Sequence, residues 1–139
     1  VGAACCCPNT ELLIIDAGTC ITYDYVSAEG YYLGGNISLG LGMRLRALHE
    51  QTALLPLVAA DGNVPTIGRN THEAIRSGVI RGMDFEIMGY IRRMWQQHPK
   101  ARIFVTGGNG YRFAQEAEVD RNDALVEIGL NCILQYQNR

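Results

Sequence analysis

The densest run of chemistry-bearing residues is Asp16-Ala17-Gly18-Thr19-Cys20-Ile21-Thr22-Tyr23-Asp24. Gly18 offers a close turn with accessible N–H groups, and Thr19 adds a hydroxyl at the same point; together they suit a phosphate oxygen. Asp16 sets a carboxylate beside them, and a carboxylate next to bound phosphate usually needs a cation between the two. The same residues fit equally well a hairpin whose Asp and Thr satisfy their own turn. Gly107-Gly108 follows an apolar run and would let a flat ring or sugar lie on the backbone; by itself a strand-to-helix turn explains it better. Gly40 and Gly42 precede a helix start, where an anion can sit. Thr71 falls in the first turn of a long helix, either as part of the helix start or as a hydroxyl aimed at a ligand.

Composition narrows the chemistry further. The 139 residues fit one domain. Twelve basic residues face fourteen acidic ones, which argues against a nucleic-acid module. Among the twelve, Lys100 is the only Lys, so no Walker-type phosphate lysine exists. Phosphate must then be gripped by backbone N–H groups, hydroxyls, Arg or a cation. Neither Gly40-Leu41-Gly42-Met43-Arg44-Leu45 nor Gly108-Asn109-Gly110-Tyr111-Arg112-Phe113 completes a dinucleotide fingerprint, which counts against hydride transfer. His49, His72 and His98 share no ligand spacing, and Ser38 and Ser77 have no triad partners at recognisable positions. Cys5, Cys6, Cys7, Cys20 and Cys132 form no C-x-x-C; they read as buried or partly buried free thiols of a reducing cytosol. No apolar stretch approaches a membrane span, and residues 1–7 are no signal peptide. The start at Val1 suggests a piece of something longer.

The elements that must position these residues follow from periodicity. Residues 12–15, 20–26 and 31–37 read as three strands with short turns, an antiparallel meander. Leu41, Leu45, Leu48 and Thr52 share one helical face before Pro56, and residues 57–69 read as a loop. Asn70-Thr71-His72-Glu73 has the form of a capping box. It opens a helix to about residue 97 whose apolar face is Ile75, Val79, Met83, Ile87, Tyr90 or Ile91, and Met94. Residues 102–106 make a fourth strand. A short helix, a brief strand near Glu118-Val119 and a last helix over about 123–136 complete an α/β layout with a mixed sheet and helices packed on it.

In combination these pieces resemble the type III pantothenate kinases. Residues 16–24 look like the family's D-x-G-T-A-x-T-x-D motif, and Gly34-Gly35-Asn36-Ile37-Ser38-Leu39-Gly40 is similar to its G-G-x-I-x-P-G. Arg46-Ala47-Leu48-His49 and Thr52 to Pro56 match the helix that follows. Asn70-Thr71-His72-Glu73-Ala74-Ile75-Arg76-Ser77-Gly78 resembles N-T-x-x-A-I-x-S-G, and Thr106-Gly107-Gly108 the late T-G-G. Order and spacing agree over nearly the whole chain. Leu39 stands where the family usually has Pro, which removes a φ constraint from a ligand-side loop.

The resemblance implies an RNase-H-like (actin-like ATPase) domain spanning 1–139, the C-terminal half of a two-domain cytoplasmic kinase. It implies that Asp16 coordinates a monovalent cation, K+ or NH4+, that Gly18 and Thr19 contact the ATP phosphates, that Gly107 and Gly108 border the adenosine, and that Thr71 contacts pantothenate. The reaction would transfer the γ-phosphoryl group of Mg2+-bound ATP to the terminal hydroxyl of pantothenate, the first step of coenzyme A synthesis, in a homodimer. The family's D-x-G-N-[ST] and G-x-D-R segments are not in this sequence; the general-base Asp of the latter is expected upstream of Val1, and the chain alone is expected not to turn over. The alternative is a non-catalytic nucleotide-binding regulator on the same fold. An actin-like or chaperone-type module fits less well, because the Thr71 segment follows the pantothenate kinase pattern.

Overall fold

The computed structural model describes residues 1–107 and 119–138. Its elements are α1 (Gly2–Cys6), β1 (Leu12–Ala17), β2 (Cys20–Val26), β3 (Tyr32–Leu39), α2 (Leu41–Glu50), α3 (Thr71–Gln97), β4 (Arg102–Thr106), β5 (Asp120–Arg121) and α4 (Leu125–Gln137). The five strands form one mixed sheet in the order β3-β2-β1-β4-β5. The first three strands are the expected antiparallel meander; β4 joins β1 in parallel, and β5 joins β4 in parallel.

Alternation along β1 and β2 divides the sheet into two faces. Leu13, Ile15, Ala17, Ile21 and Tyr23 point toward α3 and are buried with Ile75, Val79, Met83, Ile87, Ile91 and Met94. The helical stripe read from the sequence is therefore the buried one. Tyr90 lies beside it, half-buried, with its ring stacked on Tyr23 at 3.7 Å between centroids. The opposite face is smaller: Leu12 and Phe104 pack with Ala3 and Leu125. Because Met83, Ile87 and Met94 are spent on this domain's own sheet, they offer no surface to a second copy. Trp95 is half-buried, and its indole N–H donates to the Ala101 carbonyl at 3.1 Å.

Several boundaries differ from expectation. Helix α1 is not legible as a helix, being only five residues with no side-chain cap; it forms by packing on α4. The last strand falls at Asp120–Arg121 rather than Glu118-Val119, where it pairs with Phe104 and Val105, and the last helix runs over Leu125–Gln137. Thr52 lies beyond the end of α2. Cys5 and Cys6 are exposed, not buried, because the five-residue α1 buries only Gly2 and Ala3. The short helix expected after Gly107 lies outside the described residues.

The long connection between α2 and α3 carries no strand or helix, as read. Two arginines of α3 hold it by its carbonyls. Arg76 donates to Ala59 O (3.0 Å) and Asn63 O (3.3 Å), and Arg81 to Pro65 O (2.8 Å) and Val64 O (2.9 Å). The planar fork of the guanidinium suits this multiple donation, which an ammonium could not reproduce in the same geometry.

Candidate functional site: a glycine-flanked turn between two cavities

The β1–β2 turn is built by contacts distant in sequence. Gly18 N–H donates to Cys20 O at 3.0 Å, closing the turn. Gly18 itself has no left-handed φ, and a Cβ there would stand 3.6 Å from Asp16 Oδ1, an ordinary contact. So the close turn does not require glycine at 18. The requirement falls on the flanking glycines. A Cβ on Gly40 would lie 2.1 Å from Thr19 O and 2.5 Å from Gly18 O; one on Gly107 would lie 2.5 Å from Ala17 O. Gly107 also adopts φ +128, which L side chains rarely take. Three motifs spread over ninety positions thus meet backbone to backbone at residues 17–19. Thr19 is exposed at the tip of this turn. Gly108 lies outside the described residues.

Asp16 ends β1, with Thr22 opposite it on β2 and Thr106 opposite it on β4. These residues face away from α3 into a cavity of about 410 Å³ shared with Asp24 and Tyr32. Val1, Gly2, Leu125, Gly129 and Ile133 of the α1–α4 pair form its apolar wall. Asp24 accepts from Thr22 Oγ1 (3.2 Å) and Tyr32 Oη (3.0 Å). Burial, then the Asp24 charge, holds the Asp16 carboxyl above the usual carboxylate range. A carboxylate destabilised in this way is one that gains from an added cation.

Thr71 lies on the other side of the sheet. A second, larger cavity of about 970 Å³ runs between α2 and α3, with Thr71, Asn70, Arg69, Arg44, Leu39 and Leu48 in its lining. The expected cap is present: Asn70 Oδ1 accepts from Glu73 N–H at 3.0 Å. Glu73 reaches back one residue further than a capping box requires, accepting from Arg69 N–H at 2.9 Å. The cap orients the first turn and so the exposed Thr71 hydroxyl. Asp16 and Thr71 do not share a cavity, and neither Gly18, Thr19 nor Gly107 lines either one.

Sequence reasoning missed the group that joins these parts. Arg44 Nε donates to Leu39 O at 2.7 Å, and its Nη2 donates to Ser38 Oγ at 3.0 Å and to Glu86. Glu86 also accepts from Tyr23 Oη at 2.7 Å. Burial alone would raise the Glu86 carboxyl, but hydrogen bonds from Arg44, Tyr23 and Ser38 outweigh it and hold the group below its ordinary range. The segment carrying Leu39 in place of Pro is thereby pinned through its carbonyl. The readable signal was Glu86 itself, a charge on the same helical line as Met83 and Tyr90.

The family model for type III pantothenate kinase matches residues 1–93. The chain belongs to the type III pantothenate kinase family. It is 48% identical over 133 residues to a type III pantothenate kinase of Bacteroides fragilis, covering 94% of this chain and 55% of that protein. A Porphyromonas gingivalis type III pantothenate kinase is 48% identical over 141 residues, covering 98% and 58%. The chain thus spans somewhat more than half the length of these kinases. A solved Campylobacter jejuni structure, titled as a conserved Baf family transcriptional activator, superposes with a TM-score of 0.69. That match covers 99% of this chain and 62% of the other at 20% identity, a likeness of fold alone. Among the described residues, no helix is long and apolar enough to cross a membrane.

Proposed function

We propose that this chain is the C-terminal, RNase-H-like half of a two-domain kinase that transfers the γ-phosphoryl group of ATP to the terminal hydroxyl of pantothenate. The observation that carries the reading is the packing of Gly40 and Gly107 onto the backbone of residues 17–19. It leaves a small-residue surface around the exposed Thr19 where phosphate oxygens can approach its hydroxyl. Phosphoryl transfer depends chiefly on positioning and charge stabilisation, so such a site needs no lysine.

Thr19 and the Gly18 turn hold the phosphates in this reading, and Gly107 with Gly108 borders the adenosine. Asp16 fits a monovalent cation, K+ or NH4+: its carboxyl is destabilised by burial and by Asp24, and Thr22 and Thr106 stand opposite it in the sheet. Mg2+ arrives with ATP and neutralises phosphate charge. Thr71 donates to or accepts from pantothenate at the mouth of the α2–α3 cavity, whose apolar lining and Arg44 and Arg69 suit a branched carboxylate. Exposed Leu54, Leu57, Ile67 and Phe85 leave apolar surface that supports a homodimer, in the cytoplasm where ATP and pantothenate are found.

The test is turnover. The chain joined to an upstream half with intact G-x-D-R and D-x-G-N segments should release ADP only with pantothenate present, faster in K+ than in Na+. T71A should raise KM for pantothenate, and T19A should raise it for ATP. Pantothenate-independent ADP release, or kinetics indifferent to both substitutions, would overturn the reading. The 139 residues alone should show no turnover.

A further inference from the structure

Helices α1 and α4 meet without side chains between them. A Cβ on Gly2 would stand 2.1 Å from Leu125 O and 3.1 Å from Gly129 N, so the two backbones are in contact at Gly2 and Gly129. Cys5 lies three residues beyond Gly2, and Cys132 three residues beyond Gly129. One helical turn from a glycine–glycine crossing, the two side chains face each other, close enough that Cys132 bears on the Cys5 thiol. Cys5 is exposed and Cys132 half-buried, so a small reagent reaches the pair. The other thiols are placed differently: Cys6 is turned about 100° away on α1, and Cys20 Sγ contacts Met43 Sδ at 3.8 Å. Interaction with Cys132, and burial after it, holds the Cys5 thiol above its ordinary range, so at neutral pH Cys5 rests as a thiol.

We propose that Cys5 and Cys132 form an exchange site for low-molecular-weight disulfides, closing to an intramolecular disulfide that staples α1 to α4. The proposal stands apart from the kinase reading. In the first step the thiolate of one cysteine attacks a sulfur of RSSR, forming a mixed disulfide and expelling one RS⁻. In the second, the other thiolate attacks the protein sulfur of that mixed disulfide and expels the second RS⁻. The sum is protein dithiol plus RSSR giving protein disulfide plus two RSH, with both protein sulfurs oxidised and the small disulfide reduced. The loop closed runs from residue 5 to residue 132, nearly the whole chain, so the link restricts the unfolded ensemble strongly. Because Val1, Gly2, Leu125, Gly129 and Ile133 wall the Asp16 cavity, the staple fixes that wall.

The test uses the 139-residue chain incubated with oxidised glutathione and digested with trypsin without reductant. A disulfide-linked pair of the peptides 1–44 and 122–139 is expected in the wild type. It should persist in a C6S/C7S double variant and be lost in C5S and in C132S. Oxidation should raise the thermal midpoint of the wild type by about 5 °C, reversibly with reductant, and leave C132S unmoved. Three results would overturn the proposal: glutathione adducts without the linked pair, a linked pair that survives at full yield in C5S, or a linked pair with no rise in midpoint.

Discussion

Tyr23 Oη donates a 2.7 Å hydrogen bond to Glu86 Oε1 across the packed interface between sheet and α3. Tyr23 is fully buried, and its ring is stacked on Tyr90 with 20° between the planes. Burial, then the Glu86 bond, pushes the phenol above its ordinary range, so it remains a donor through the physiological span. With Arg44 on the other carboxylate oxygen, Glu86 ties the middle of β2 to the end of β3 and the start of α2.

Replacing Tyr23 with Phe keeps the stacked ring and deletes the donor. A hydrogen bond to a charged, partly buried acceptor contributes about 1.5 kcal/mol. Urea unfolding of Y23F should show a loss of that size with an unchanged m value; a loss below about 0.3 kcal/mol would mean that the bond contributes nothing net.

Glu86 should also appear in the acid limb of stability. Its folded carboxyl lies below the unfolded value of about 4.3, so the native state releases this proton more readily. The stabilisation is complete above about pH 4.3 and is lost as pH falls through the lower folded value. E86Q should therefore be less stable than wild type at pH 7 and converge toward it at pH 3, measured by thermal unfolding across that range. A constant difference at all pH values would refute the assignment.

Asp16 carries the opposite sign. Its folded carboxyl titrates above the unfolded value, so the native state holds its proton more tightly and stability falls as pH rises from the unfolded toward the folded value. At pH 7 the ionised group opposes folding. D16N should raise the midpoint by the order of 2 °C in cation-poor buffer. Adding KCl at ionic strength held constant with a bulky organic salt should stabilise wild type and leave D16N unaffected; equal responses would remove Asp16 as the cation's ligand.

The glycine contacts predict steep costs at small substitutions. G40A brings a methyl against the Thr19 and Gly18 carbonyls, an overlap that the turn can relieve only by moving. We expect a loss of about 2–3 kcal/mol. G42A, on the exposed side of α2 where a Cβ would meet only the flexible end of Arg46, should be neutral or slightly stabilising. Chemical denaturation of the two variants side by side checks the contrast.

The Asn70 cap is the simplest of the local features. N70A removes the acceptor for Glu73 N–H and should cost about 1 kcal/mol. Asp in its place should recover most of that, because a short acceptor at this position serves equally well. A loss that N70D fails to recover would point to a role for Asn70 beyond the cap.

Much of this was legible along the chain because it is local. Strand alternation, the apolar stripe from Ile75 to Met94, the Asn70 cap and the order of the glycine motifs are written in residues a few positions apart, and each depends on backbone geometry that repeats over that distance. Local pattern could not say which glycines were sterically required. Gly18 looks like the demanding one, yet the clash-limited positions are Gly40 and Gly107, because the carbonyls they abut belong to residues 17–19, far away in sequence. Helix α1 was invisible for a related reason: five residues cannot nucleate a helix alone, and its stability comes from the Gly2–Gly129 contact. The separation of Asp16 and Thr71 onto opposite sides of the sheet, the burial of Met83 and Ile87 against the domain's own sheet, and the pairing of Arg44 with Glu86 over 42 positions were likewise decided by how the sheet and helices close on one another. Residue types and short spacings determined what each segment could do; only the packed structure determined which segments act together, since contacts between distant residues depend on the path of the whole chain.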